Sequence, residues 1–343
     1  MNKHLAIGLF LINLLIFNNL TIQVAGQQSA TGDRKMAEEA YNRSVDKISQ
    51  KDYAQALIEI NQAVKLDPAF AEAFLLKARI EYQLGNYSEA MNDANRAVDL
   101  NSFQGEAYFY RAFIAFASDT SLVKGADLDK AVQLGFNDAS AYYYRGLYKL
   151  MKGKNTDAIS DFSAAIEKKP NHAMAYNDRG TARYRTEDYQ GAVYDFRVAV
   201  NLDPKLAVAY VNMGNAKKKI GDYQGAITDF NTALNFDTSL VNAYNYRGEA
   251  YLITGDYESA EKDFETILSR RPDDAFALIG IGNVYLKMNE MDKAEETFNK
   301  VITLYPGMGE AYLNRGLLLE LKGDLEGACS DWKTASTLGI GVS

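Results

Sequence analysis

The 343-residue chain is poor in several residue types, and each shortage excludes something. It has one cysteine, Cys329, so no disulfide can form within the chain. It has two histidines, His4 and His172, too few for a metal site built on imidazole. A nucleophile activated by a histidine base would need a partner that nothing in the sequence places nearby. Basic residues are outnumbered, 37 Lys and Arg against 45 Asp and Glu, for a net charge of −8. That balance argues against nucleic acid as a partner, since phosphate binding calls for a basic stripe. The longest basic run, Lys217-Lys218-Lys219, is expected only to solvate a helix. No glycine-rich phosphate loop is present, because the glycines are spread thinly along the chain. The chain is therefore read as no enzyme, with no catalytic residue, metal, cofactor or nucleic acid.

Proline is also scarce, and its placement is the strongest signal in the sequence. Pro68, Pro170, Pro204, Pro272 and Pro306 are separated by 102, 34, 68 and 34 residues, all multiples of 34. A strict period means one supersecondary unit copied head to tail. Nine units start at residues 37, 71, 105, 139, 173, 207, 241, 275 and 309 and fill 37–342.

Other positions keep the same period. Position 8 of each unit is always small: Ser44, Ala78, Ala112, then Gly146, Gly180, Gly214, Gly248, Gly282 and Gly316. Position 20 is alanine in eight units of nine, with Lys124 the exception, and position 27 is alanine in seven, with Ile267 and Val301 the exceptions. Bulky residues recur beside them, as at Phe162, Phe196, Phe230, Phe264, Phe298 and Trp332. Small stripes let two helix backbones approach while aromatic rings fill the remaining volume. Between the stripes lie turn signals such as Gly221-Asp222-Tyr223 and Gly255-Asp256-Tyr257. Glycine ends one helix in the left-handed conformation, aspartate caps the next, and proline closes the second helix. Each unit thus reads helix A, turn, helix B, turn.

The pattern Ala-Tyr-x-x-x-Gly, Gly-Asp-Tyr-x-x-Ala, Asp-Phe-x-x-Ala and a closing proline resembles the tetratricopeptide repeat at its usual length. The resemblance covers 37–342 without an insertion. It implies an all-α, right-handed superhelical solenoid, and a peptide-binding or scaffolding role with diverse clients. It also implies a concave groove lined by positions 2, 5, 6, 9 and 12 of helix A. On that basis units two to four offer an apolar wall that includes Leu75, Tyr82, Phe109, Phe113, Phe116, Tyr143, Leu147 and Leu150. Units five to nine offer Asn177, Asp178, Asn212, Asn215, Lys218, Asn242, Asn245, Asn283 and Asn314. An asparagine side chain both donates and accepts, so a row of them can hold the backbone of an extended peptide. Family members that bind chaperone tails use lysine at position 5, which no unit here has.

The start of the chain differs in kind. Lys3 precedes an apolar stretch from Leu5 to Phe17, and small residues follow at Val24-Ala25-Gly26. This reads as a signal peptide over 1–26 cleaved after Gly26, followed by a flexible lead-in over 27–36. It places the mature chain on the secretory route, periplasmic, secreted or lumenal. An uncleaved leader would instead tether the array to a membrane. Cys329 is expected to be buried and inert, with an intermolecular bridge as the alternative.

Two further patterns carry expectations. Position 7 is basic in seven units and position 23 is acidic in eight, and the eighth unit loses both at Ile281 and Thr297. That correlation predicts an ion pair between helices A and B of the same unit, with Asp229 left without a base opposite Met213. The third unit places Lys124 at a small position and Gly125 after it, so its second helix should begin late. The last unit ends without a following helix, which suggests either a polar cap or end-to-end self-association there.

The expected function is a scaffold or chaperone-like adaptor for extended peptides or assembly partners. A fixed structural subunit of an envelope or secretory assembly, or an accessory domain of an enzyme acting in trans, are the alternatives.

Overall fold

The computed structural model describes residues 32–340, and the expected signal peptide lies outside them. Among the described residues there are 18 α-helices and no strands. They divide into two compact units, with the division between Asp178 and Arg179.

In the first unit the helix pairs are α1 (Gly32–Ser49) with α2 (Tyr53–Leu66), α3 (Ala71–Gln83) with α4 (Tyr87–Leu100), α5 (Gly105–Ser118) with α6 (Gly125–Gln133), and α7 (Ala139–Met151) with α8 (Asn155–Lys168). The unit boundary falls inside α9 (Ala173–Arg185). The second unit continues with α10 (Tyr189–Leu202) and then pairs α11 (Ala207–Lys219) with α12 (Tyr223–Phe236) and α13 (Val241–Thr254) with α14 (Tyr257–Arg270). Its last pairs are α15 (Ala275–Lys287) with α16 (Met291–Leu304) and α17 (Gly309–Leu321) with α18 (Leu325–Thr337). Odd-numbered helices are the A helices and even-numbered ones the B helices.

Local chemistry sets the boundaries. Gly221 and Gly255 sit at φ 81° and 84°, and Asp222 and Asp256 accept from the amides of Gly225 and Ser259 at 2.9 and 3.2 Å. Lys51, Glu187 and Asn289 occupy the same left-handed turn position with φ of 60°, 65° and 62°. Helix α1 begins at Gly32, so residues 32–36 of the expected lead-in are helical. Their order has a cause: the Arg34 guanidinium lies 3.8 Å from the Phe70 ring centroid and pairs with Asp67 at 2.5 Å.

In most pairs, sizes at positions 8 and 24 compensate. Five buried phenylalanines, Phe162 to Phe298, press against glycine, and a Cβ on Gly214 would lie 2.6 Å from the Phe230 ring. Where position 8 is Ser44, Ala78 or Ala112, position 24 is Ile60, Ala94 or Leu128. Ile60 and Leu128 take the place of the ring, whereas Ala78 and Ala94 are both small and Ile114, Tyr82 and Met91 close around them. Successive pairs dock through two further columns. Position 3 is alanine from Ala73 onward and fully buried, and position 28 is Val, Ile or Leu from Val64 to Ile302. The series ends at exposed Glu39 on one side and exposed Ser336 on the other, so both ends present polar residues where apolar stacking contacts would be. Cys329 on α18 is exposed, contrary to its expected burial, since among the described residues no further helix follows α18 to cover it.

The periodic charges pair within repeats. Arg111–Asp127, Arg145–Asp161, Arg179–Asp195, Arg247–Asp263 and Arg315–Asp331 lie at 2.5–2.7 Å. Arg43–Glu59 at 2.8 Å and Lys77–Asp93 at 3.3 Å complete the set. Asp229 is not left without a base: Lys217, one helical turn beyond Met213, reaches it at 2.7 Å. Lys149 and Arg183 occupy the same later position and add a second base to Asp161 and Asp195 at 2.7 and 3.0 Å. Several position-7 arginines also donate to position 25 of the preceding repeat, as Arg247 does to Asn231 at 2.5 Å and Arg315 to Asn299 at 2.6 Å. One guanidinium therefore fixes both the pair and its neighbour.

The third repeat departs as its sequence suggests. Helix α6 has nine residues and starts at Gly125, after a 3₁₀ turn at Thr120–Leu122. Glycine lets the Tyr148 ring pack closely there, since a Cβ would lie 2.2 Å from the ring and force it to shift.

Candidate functional site

Neighbouring A helices touch along one face in each unit: α3 with α5 in the first, and α11, α13, α15 and α17 in sequence in the second. The candidate site residues are distributed very differently over these two faces.

In the first unit most of the expected apolar wall is core, with Tyr82 and Leu147 half-buried. Phe109, Phe113, Phe116 and Tyr143 are 4, 2, 3 and 3 % exposed, and Leu75 and Leu150 are buried with them. Phe113 packs edge-on against Tyr144 at 5.1 Å, and Phe109 lies 5.0 Å from Phe136. The rings cover one another across neighbouring helices: Phe113 also lies 4.8 Å from Tyr82, Phe116 lies 5.2 Å from Tyr144, and Tyr143 lies 5.9 Å from Phe162.

Two polar clusters, each with a buried member, lie on this face. The Tyr143 hydroxyl donates to Asp178 at 2.8 Å, and the Asn177 amide donates to the other carboxylate oxygen at 3.0 Å. Loss of hydration pushes Asp178 up to about 6, against the pull of these two donors. His172 stacks 4.7 Å from Tyr143, and burial, aided by the charge of Lys169, lowers it to about 4. Its Nδ1 accepts from the Ala175 amide at 3.3 Å, which makes it a helix cap. Asn177 is 4 % exposed. The second cluster centres on buried Arg79, which donates to Glu106 at 3.2 Å and lies 4.8 Å from the Tyr110 ring. Desolvation comes first in raising Glu106, and Arg79 opposes it.

In the second unit the amides stay nearer to solvent. Asn242 is exposed, and Asn212, Asn215, Asn245 and Asn283 are half-buried, whereas Asn314 is buried. Asn245 donates to Glu249 at 2.8 Å. Lys218 pairs with the same carboxylate and lies 5.2 Å from the Tyr246 ring, so Lys217 and Lys218 are both engaged rather than merely solvated. Exposed apolar residues on the A helices of this unit include Ile253, Phe276, Leu317 and Leu321, which are 56, 64, 40 and 64 % exposed. Reading the wall in units two to four missed them, because a helical column does not by itself say whether a residue is covered by its neighbour.

Among the described residues no group of three or more His, Cys, Asp or Glu side chains is arranged to hold a metal ion, and no helix is long and apolar enough to cross a membrane.

Family models described as tetratricopeptide repeat match residues 41–105, 143–207 and 239–307, and one described as TPR repeat matches 214–255. The chain belongs to the tetratricopeptide-repeat family. No match is found among curated proteins. Solved structures share the fold. A tetratricopeptide repeat protein from Parabacteroides merdae is 17% identical with a TM-score of 0.50, over 90% of this chain and 94% of that one. Pseudomonas aeruginosa pilF is 13% identical with a TM-score of 0.52, over 62% of this chain and 96% of that one. PilW, a type IV pilus biogenesis factor, is 19% identical with a TM-score of 0.50, over 60% and 94%. At these identities each likeness shows the tetratricopeptide-repeat solenoid and nothing finer.

Proposed function

We propose that this repeat protein is a non-enzymatic scaffold that holds an extended segment of a partner protein on the A-helix face of its second unit. The observation that carries the reading is the state of the asparagines there. Asn212, Asn215, Asn242, Asn245 and Asn283 lie at helix A positions, and none is fully committed to the core. Their amides can serve the donors and acceptors of a peptide backbone whatever its side chains are. The first unit then acts as the stiffer part, its aromatics spent on packing. Export on the secretory route remains part of the reading, carried by the apolar N-terminal stretch and its small-residue end.

The test is triple replacement of Asn212, Asn215 and Asn245 by alanine, with crosslinking pull-down from the native secretory or envelope fraction as readout. Capture of partners should fall at least about tenfold, since each lost hydrogen bond contributes about 1 kcal/mol. The melting temperature should move by no more than a few degrees. Unchanged capture would refute the reading.

A further inference from the structure

Three successive A helices of the second unit, α13, α15 and α17, bring an acidic pair and exposed apolar groups to one face. Positions 2 and 9 of a helix are two turns apart and share a side. On α13 they are Asn242 and Glu249, on α15 Phe276 and Asn283, and on α17 Glu310 and Leu317. The glutamates stand on next-but-one helices, yet each lies within the field of the other. Phe276, on the helix between them, is 64 % exposed, and Leu317 is 40 % exposed.

The two carboxylates differ in their surroundings. Glu249 is held by Lys218 and the Asn245 amide. Glu310 is exposed and has no ion pair among the described residues. Loss of some hydration comes first in raising its carboxyl above the ordinary range, and the charge of Glu249 adds to the shift. One turn further along α17, Asn314 is 9 % exposed and its amide nitrogen has no acceptor among the described residues. The face thus combines an uncompensated negative charge, an unmet donor and an uncovered aromatic ring. A cation would relieve the first and can stack on the last.

Resting on the function proposed above, we infer that this face selects extended segments in which an arginine is flanked by apolar residues. The guanidinium sits over Phe276 and pairs with Glu310, and the adjacent apolar side chain covers Leu317. Arginine fits better than lysine because its planar fork pairs with a carboxylate through two donors and also stacks on a ring. The asparagines hold the backbone on either side without contributing to this choice.

The probes are three capped nonapeptides that differ only at the central residue, Arg, Gln or Glu, each with Leu on both sides. Binding to the full chain is followed by fluorescence anisotropy at about 0.05 and 0.5 M salt, which brackets weak and strong screening. The Arg peptide should bind about tenfold more tightly than the Gln peptide at low salt, and the Glu peptide more weakly still. Glu310→Gln should lower the Arg preference by about two- to fivefold, within the range of an exposed ion pair. Phe276→Ala should weaken both Arg and Gln peptides, and Glu326→Gln, an exposed acid on α18, should change nothing. Thermal melts of all variants should superimpose, because the substituted side chains are exposed. Equal binding of the three peptides, or an Arg preference that Glu310→Gln leaves undiminished, overturns this inference while the scaffold reading stands. Binding of none of them overturns both.

Discussion

Lys217→Met tests whether the base for Asp229 has moved one turn along helix A. Methionine keeps most of the length and apolar stem of lysine, so the change isolates the charge. Asp229 is 6 % exposed and Met213 offers it nothing, so removing Lys217 leaves a buried carboxylate without its cation. Halving a buried pair costs 3–5 kcal/mol in general, and partial exposure of Lys217 reduces the expectation to about 2–4 kcal/mol. The matching change Lys149→Met should cost about 1 kcal/mol or less, because Arg145 still holds Asp161 at 2.5 Å. Adding Met213→Arg to Lys217→Met rebuilds the arrangement of the other repeats and should restore most of the loss. Burial already raises Asp229, with Lys217 opposing. The folded state therefore favours the proton, and without Lys217 it favours it more. The deficit should be largest at neutral pH and shrink as pH falls toward the acid range. Repeat arrays unfold by segments, so amide exchange across α11 and α12 is the proper readout alongside urea titration. A loss below about 0.5 kcal/mol, or one that Met213→Arg does not rescue, would refute the reasoning.

Three other outcomes are expected. Glu187→Gly should stabilise the α9–α10 turn by about 1 kcal/mol, since the native residue holds φ 65° at a position that glycine adopts without penalty; a urea midpoint that falls would contradict it. Gly214→Ala should cost about 1–3 kcal/mol despite its better helix propensity, because the new Cβ meets the immobile Phe230 ring at 2.6 Å; a neutral melt would show that the pair can open. Asp178, raised to about 6, contributes stability that is complete below its unfolded value near 3.8 and is lost as pH rises through about 6. Asp178→Asn should flatten that part of the profile, a difference of at most about 2 kcal/mol, and parallel melting curves for both proteins between pH 4.5 and 7.5 would rule it out.

Much of the fold is legible because it is periodic. A 34-residue beat with small residues at positions 8, 20 and 27 leaves two antiparallel helices as the solution, and Gly-Asp-Tyr states where one ends and the next begins. The charge correlation between positions 7 and 23 identifies the partners correctly, because loss of both charges in one unit is hard to explain otherwise. It fails at Asp229 only because a helix offers a second position one turn away, and Lys217 lies inside a run that looks like surface. The candidate site is less legible. Phe109, Phe113, Phe116 and Tyr143 occupy the columns expected to face a ligand and are buried all the same.

The sequence by itself determined the repeat, its helices, its turns and its within-repeat ion pairs, since these depend on neighbours at fixed short spacing. Only the tertiary structure decided which residues of a column are covered. Whether Phe109 is core and Phe276 is surface depends on what the adjoining helices leave unfilled, and that volume is shared among side chains from different repeats. The same holds for Glu249 and Glu310, 61 positions apart in the chain, whose mutual repulsion exists only because α13, α15 and α17 stack side by side.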